Sequence, residues 1–171
     1  MIFRLSQQLA RKIKAGPLDT LPLDENPFAD WSAHFFVVNR SQYVILSNTK
    51  TLYSCLMSAA GINDKSRFVE RASTAIREFM QDDGQQLAYA KFMSTTSSPV
   101  QFAKALNRTV IGSINELIFS ADHVLSDGDV SPHEVGFQIN QVLLSALASE
   151  GFRGYGKPRE AFLKLVARHL H

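Results

Sequence analysis

The 171 residues predict an α+β fold: a small antiparallel sheet from the N-terminal half with helices packed on one face of it, and a helical C-terminal half. Three observations carry this. Runs dense in Phe, Val, Ile and Tyr and bounded by turn formers lie mostly before residue 58. From residue 64 onward, apolar residues instead recur at three- and four-residue spacing. Strands early and helices late favour an α+β arrangement over the alternation of βαβ units. An apolar fraction of 45% and a charged fraction of 20% suit an ordinary globular chain, and the length predicts one domain over residues 1–171.

Residues 2–5 predict a strand, and residues 7–14 a helix with Leu9 and Ile13 on one face, ended by Gly16-Pro17. Pro17, Pro22, Pro27 and four acids make 18–30 an extended surface connection, long enough to be mobile or functional. Residues 33–38 and 43–46 predict a hairpin around the turn formers Asn39-Arg40-Ser41-Gln42. Residues 52–57 predict a third strand, a helix start being the alternative for so short an apolar run. Phe68, Ala72, Ala75, Ile76 and Phe79 predict a helix over 64–80, capped by Asn63 or Asp64. Another turn or two of helix is expected over 85–93, then a Ser/Thr loop over 94–98 and a strand within 100–105.

From Asn107, the residues Val110, Ile114, Leu117, Ile118, Ala121 and Leu125 form one arc at about 100° per residue, a helix that stops near Ser126 before the turn Asp127-Gly128-Asp129. Ser131-Pro132-His133-Glu134 is a capping box with Pro at the first helical position, opening a helix expected to reach about Ala148. Gly151, Gly154 and Gly156 form the last loop, and Pro158 opens a final helix with Phe162, Leu165, Val166 and Leu170 inward.

No stretch reaches the roughly 18 apolar residues of a membrane span, and the opening Met1-Ile2-Phe3-Arg4 has no signal-peptide pattern, so neither membrane nor secretion is expected. With Cys55 alone, no internal disulfide or multi-thiolate zinc site can form, and a reducing cytoplasm fits. A net charge of +2 gives no global argument for nucleic acid. Arg4, Arg11, Lys12 and Lys14 crowd the start, and Glu116, Asp122, Asp127, Asp129 and Glu134 make a later stretch acidic; both read as solvated surface.

The chemistry-bearing motifs are incomplete. Gly151 to Lys157 is followed by Pro158 where a phosphate-binding loop needs a hydroxyl, and it follows a helix rather than a strand, so it reads as a plain turn between helices. Asp122, His123, Asp127, Asp129, His133 and Glu134 are metal-ligand types whose spacing matches no calcium loop or H-E-x-x-H, and no metal is assigned. Cys55, among Leu52, Tyr53, Leu56 and Met57, reads as buried and inert, and Ser113 lies outside any G-x-S-x-G elbow. His34, in an apolar strand, reads as a hydrogen-bonded structural histidine rather than a ligand or base. Nothing marks a cofactor site.

At Asp30-Trp31-Ser32-Ala33-His34, Ser47-Asn48-Thr49-Lys50-Thr51-Leu52-Tyr53-Ser54 and Asn107-Arg108-Thr109-Val110-Ile111-Gly112-Ser113-Ile114-Asn115-Glu116 the chain resembles an uncharacterised bacterial domain-of-unknown-function family. Its members tend to read D-W-H-A-N, N-D-K-T-L-Y-S and N-R-S-V-L-G-S-M-N-D after an opening like M-I-I-R-x-T-K-K-L. The match spans most of residues 1–116 and fades in the C-terminal third. Ser32 stands where the family often has His, and His34 where it often has Asn. The resemblance implies a bacterial cytoplasmic origin and no particular activity. Some relatives look like accessory genes of mobile DNA, which implies an interaction role.

Three functional classes stay open. A binding or regulatory module, meeting a protein or nucleic acid partner or a second copy of itself, fits a chain without a catalytic constellation. A nucleic-acid-processing enzyme would rest on the basic N-terminal helix and would need Lys50, Lys104, Arg108 and His34 to converge as phosphate and proton-transfer groups. A small-molecule enzyme is the third. Candidate binding residues are Trp31, His34, Lys50, Asn107, Arg108, Gly112 and Asn115. Arg108, Gly112, Asn115 and Phe119 share a stripe about 60° wide, away from the apolar arc. Gly112 leaves a notch there, which either a neighbouring strand fills or a site uses, with Arg108 contacting an anion and Asn115 hydrogen bonding.

Overall fold

A computed structural model describes residues 1–95 and 98–171; of the expected Ser/Thr loop, Thr96 and Ser97 lie outside the described residues. The strands are β1 (Ile2–Leu5), β2 (Asp30–Val38), β3 (Ser41–Asn48), β4 (Ser54–Ser58) and β5 (Gln101–Ala103). The helices are α1 (Gln7–Lys12), α2 (Lys65–Asp82), α3 (Gln86–Phe92), α4 (Arg108–Ser126), α5 (Pro132–Ile139) and α6 (Pro158–Leu170), with 3₁₀ turns at Pro27–Ala29 and Ser145–Glu150. Strands gather in the N-terminal half and the fold is α+β, as the sequence predicts.

The sheet runs β4-β3-β2-β1-β5 and is mixed rather than antiparallel. β2, β3 and β4 pair antiparallel, whereas β1 lies parallel to both β2 and β5. The hairpin expectation holds, with Val38 opposite Ser41 and a two-residue turn at Asn39 and Arg40, whose φ values of 48° and 68° match the twist of the flanking strands. The parallel pairings rest on connections through α1 and through α2 and α3, contacts that local sequence pattern does not report.

Helices cover both faces of the sheet, not one. Along β3, Val44 and Leu46 point to a core shared with Phe3, Trp31, Leu9 of α1, Phe68 and Phe79 of α2, and Phe162 of α6. Ile45, between them, points to a second core with Phe36, Leu56, Ile114 and Leu117 of α4, and Val135 and Ile139 of α5. The alternation of side chains across a strand makes this division, and two consecutive apolar neighbours are the sequence trace of a sheet buried on both faces. The α1 side is closed by aromatic stacking of Tyr53 on Phe162, centroids 4.2 Å apart, and of Phe28 on Phe92, 4.4 Å apart.

The expected capping box is present: Ser131 Oγ accepts from Glu134 N–H, and the Glu134 carboxylate accepts from Ser131 N–H. These bonds hold the Glu134 carboxyl below its ordinary range. The helix it opens ends at Ile139, however, not near Ala148. Asn140 turns its amide onto β4, and Leu144 exchanges backbone hydrogen bonds with Gly156, so tertiary pairing captures the groups a longer helix would need.

Candidate functional site

One row of the second sheet face is polar. The register aligns Arg4 with Ser32, Ser32 with Ser47, and Ser47 with Ser54, so a line of polar side chains crosses four strands. All four are buried, and each is satisfied. Ser32 Oγ meets Thr49 Oγ1 at 2.9 Å, Ser47 Oγ meets Ser54 Oγ at 2.6 Å, and the Arg4 guanidinium binds Asp30.

His34 follows on the same face of β2, two residues past Ser32, at a point where β1 has ended. Ser6 stops β1 because its side chain caps α1 by accepting from Leu9 N–H, while β2 runs on to Val38. Ser6 Oγ also accepts from Phe35 N–H at 3.3 Å, standing in for the missing strand. Beyond that contact the sheet has a gap, and the gap is a cleft of about 980 Å³. Its walls are Leu5, Ser6, Gln8 and Arg11 on one side, Lys104 and Ala105 after β5, and Ile111, Asn115 and Ile118 of α4, with His34 and Phe35 from β2. The charged residues described in this lining are Arg11 and Lys104, both cationic.

The His34 imidazole is 7% exposed, and its Nε2 has no hydrogen-bond partner among the described residues. The hydrogen-bonded structural role expected for this residue therefore does not hold at Nε2. Register places Ile45 beside it, whose side chain offers no polar atom. Burial disfavours the charged ring and pushes its pKa down to about 4, so it is neutral near pH 7, and Nε2 can donate or accept according to tautomer.

That depression ties stability to pH. The unfolded chain takes up the imidazole proton near pH 6.5, whereas the folded chain resists it until about 4. Stability is therefore full above pH 6.5 and falls as pH drops towards 4, by at most about 3 kcal/mol from this group. Urea midpoints measured at pH 7.5 and pH 5.0 should show a smaller loss in His34→Gln than in the wild type; equal losses would show that His34 does not titrate in this way.

Of the other candidates, Asn115 and Lys104 join His34 in the cleft. Lys50 does not: it is exposed in the turn after β3, beyond the Trp31–Asn48 pair, whereas His34 stands opposite Ile45 in the middle of the hairpin. Trp31 faces the opposite core, where its Nε1 donates to Phe28 O at 2.9 Å. Asn107 caps α4, its Oδ1 accepting from Val110 N–H. Arg108 and Gly112 lie on the outward face of α4, so Lys50, Lys104, Arg108 and His34 do not converge. A Cβ built on Gly112 meets nothing within 4 Å. No strand fills the notch, and Gly112→Ala is expected to raise stability by roughly 1 kcal/mol through helix propensity alone; an unchanged or lower thermal midpoint of the monomer would contradict an open notch.

The remaining motifs resolve into local structure. Asp122 accepts from Ser126, His133 pairs with Asp82, and no group of three or more His, Cys, Asp or Glu among the described residues is placed to hold a metal. Between Gly151 and Gly156 the chain closes on itself through paired bonds of Phe152 and Tyr155, linking a 3₁₀ turn to α6. Cys55 is buried, and burial pushes its thiol up, away from the reactive thiolate. The cleft is not legible in the sequence because its walls come from three regions far apart in the chain, residues 5–18, 34–35 and 104–118. Arg11 reads in the sequence as part of a solvated basic face, and Gln8 carries no local pattern that marks it as a site residue.

Among the described residues no helix is long and apolar enough to cross a membrane. Neither the curated proteins nor the solved structures contain a match to the chain. A family model does match, over residues 2–161, and the chain belongs to the family it describes, the domain of unknown function DUF6933.

Proposed function

We propose that this protein is a binding module for a small anionic ligand, held in the cleft beside His34. The observation that carries this reading is the buried His34 Nε2, without a partner among the described residues, on the wall of a cleft whose described charges are Arg11 and Lys104. A buried polar atom left unsatisfied costs about 1–3 kcal/mol, a cost that a ligand offering the complementary group removes. Topology supports the same place. The chain leaves β1 into α1, which packs on the first core, and leaves β5 into α4, which packs on the second. Adjacent parallel strands whose connections diverge to opposite faces open a crevice at their carboxyl ends, the usual ligand position in open sheets. Lys104 and Arg11 then supply charge attraction, Asn115 and the Ser6 side chain supply hydrogen bonds, and Ile111 and Ile118 supply an apolar wall.

Thermal unfolding in the presence of inorganic phosphate, nucleoside monophosphates and short dicarboxylates tests the proposal, with isothermal titration of any compound that shifts the midpoint. A saturable upward shift is expected for at least one, weakened at least tenfold in affinity by Lys104→Gln and by Arg11→Gln. A midpoint that none of these anions moves, or a shift that survives both substitutions, would refute the anion site.

A further inference from the structure

The outward face of α4 carries a pattern that reads as one half of a symmetric contact. Phe119 is 79% exposed, and it stands two turns along the helix from Gly112, above which nothing lies within 4 Å. Beside them is a shallow hollow of about 440 Å³ lined by Gly112, Asn115, Glu116, Phe119, Ser120 and Val142. A large apolar side chain and an open notch about 10.5 Å apart on one helix face are complementary to each other, but too far apart to meet within one chain.

We infer that α4 pairs antiparallel with α4 of a second copy of this chain about a two-fold axis near Asn115 and Glu116. A two-fold contact brings residue i of one copy to residue j of the other and j to i. Centred at this point, it sets Phe119 of each copy into the Gly112 notch of the other, and it does so twice. With Phe119 opposite Gly112, the residue opposite Arg108 is His123, and Asp122 next to it lies within reach of the long guanidinium side chain, setting a cation at one end of the helix near an anion at the other. Arg108 is otherwise misplaced: it opens α4 next to the positive end of the helix dipole, in a first turn without an acidic residue. An Asp from the second copy offsets that repulsion. The absence of a Cβ at Gly112 lets the helix axes approach closely, within the 8–10 Å typical of packed helices. The half-buried Val142 lines the hollow and extends its apolar area. A second copy supplies both the knob and the notch, and brings Asp122 near Arg108, whereas an unrelated partner would need to reproduce the same shape.

Sedimentation velocity over a dilution series reaching on the order of 500 µM tests this, with circular dichroism confirming that each variant folds. The wild type is expected to pass from monomer to dimer as concentration rises. Phe119→Asp and Gly112→Leu should each leave a folded monomer, the first by removing the knob and the second by filling the notch. Arg108→Asp and Asp122→Arg should each weaken the dimer at least tenfold, and the double exchange should restore it. A wild type that stays monomeric throughout, a dimer that survives Phe119→Asp, or a double exchange that fails to rescue would each overturn the inference.

Discussion

Arg4→Ala is expected to lower the stability of the protein by about 4 kcal/mol, the largest effect of any single change considered, although Arg4 opens a basic segment that reads as solvated surface. The side chain is 1% exposed and sits inside the sheet. Its Nε and Nη2 donate to the two oxygens of Asp30, each at 2.8 Å, the two-pronged geometry that a guanidinium matches and an ammonium does not. Nη1 donates to Leu21 O and Nη2 to Pro22 O, both at 2.8 Å, and Nη1 reaches Lys104 O at 3.4 Å. Asp30 in turn accepts from Asp24 N–H at 3.0 Å. One ion pair thus joins β1 to β2, turns the carbonyls of the long 18–30 connection inward, and anchors the chain as it leaves β5.

Removing the cation leaves a buried carboxylate and two loop carbonyls without their partner, a loss of the kind measured at about 3–5 kcal/mol. Replacing both partners, Arg4→Met with Asp30→Leu, should recover only part of that, since the carbonyls of Leu21 and Pro22 stay orphaned. Arg4→Lys should also destabilise, because a point charge cannot serve both carboxylate oxygens and both carbonyls. Urea unfolding reads these differences as shifts in midpoint at constant slope. A shift in Arg4→Ala equivalent to less than about 1 kcal/mol would mean that water replaces the guanidinium without loss.

Asn140→Ala should cost nearly as much, about 3–4 kcal/mol. Asn140 is 1% exposed at the end of α5, and its amide does the work of a missing strand. Oδ1 accepts from Ser54 N–H and Nδ2 donates to Ser54 O, both at 2.8 Å, while Nδ2 also donates to Gly136 O at 2.9 Å. β4 is an edge strand, and an edge presents unpaired backbone groups that must be covered. A single side-chain amide carries a donor and an acceptor at the spacing a peptide group offers, so it closes the edge at Ser54 where no further strand exists. Alanine would leave Ser54 N–H and Ser54 C=O buried and unpaired at about 1–3 kcal/mol each, and would free the start of the 140–157 segment. Hydrogen exchange at Ser54 offers a local check beside the urea midpoint: protection that persists in Asn140→Ala would show that the amide does not close this edge.

Much of the secondary structure was legible because it has local causes. The apolar spacing over α2, α4 and α6, the Ser131 and Glu134 cap, and the turn formers around Asn39 and Arg40 each act within one or two turns of chain. The end of α5 was not legible, since an Asn followed by apolar residues continues a helical pattern until Ser54 claims its amide. Nor was the burial of Arg4. In Ile2-Phe3-Arg4-Leu5 a strand can point its third residue either to water or to a partner, and the partner is 26 residues away.

The sequence by itself determined the α+β class, most of the elements, the hairpin, the caps and the buried, unreactive state of Cys55. These follow from residue spacing and turn chemistry. Tertiary structure alone decided that β1 lies parallel between β2 and β5, that both faces of the sheet are covered, and that the notch at Gly112 stands open. It also decided that His34 lines a cleft with Lys104 and Asn115 while Lys50 and Arg108 lie elsewhere. The physical reason is that parallel pairing and cleft formation join segments separated by long stretches of chain. Whether a polar side chain is satisfied there depends on which distant groups arrive beside it.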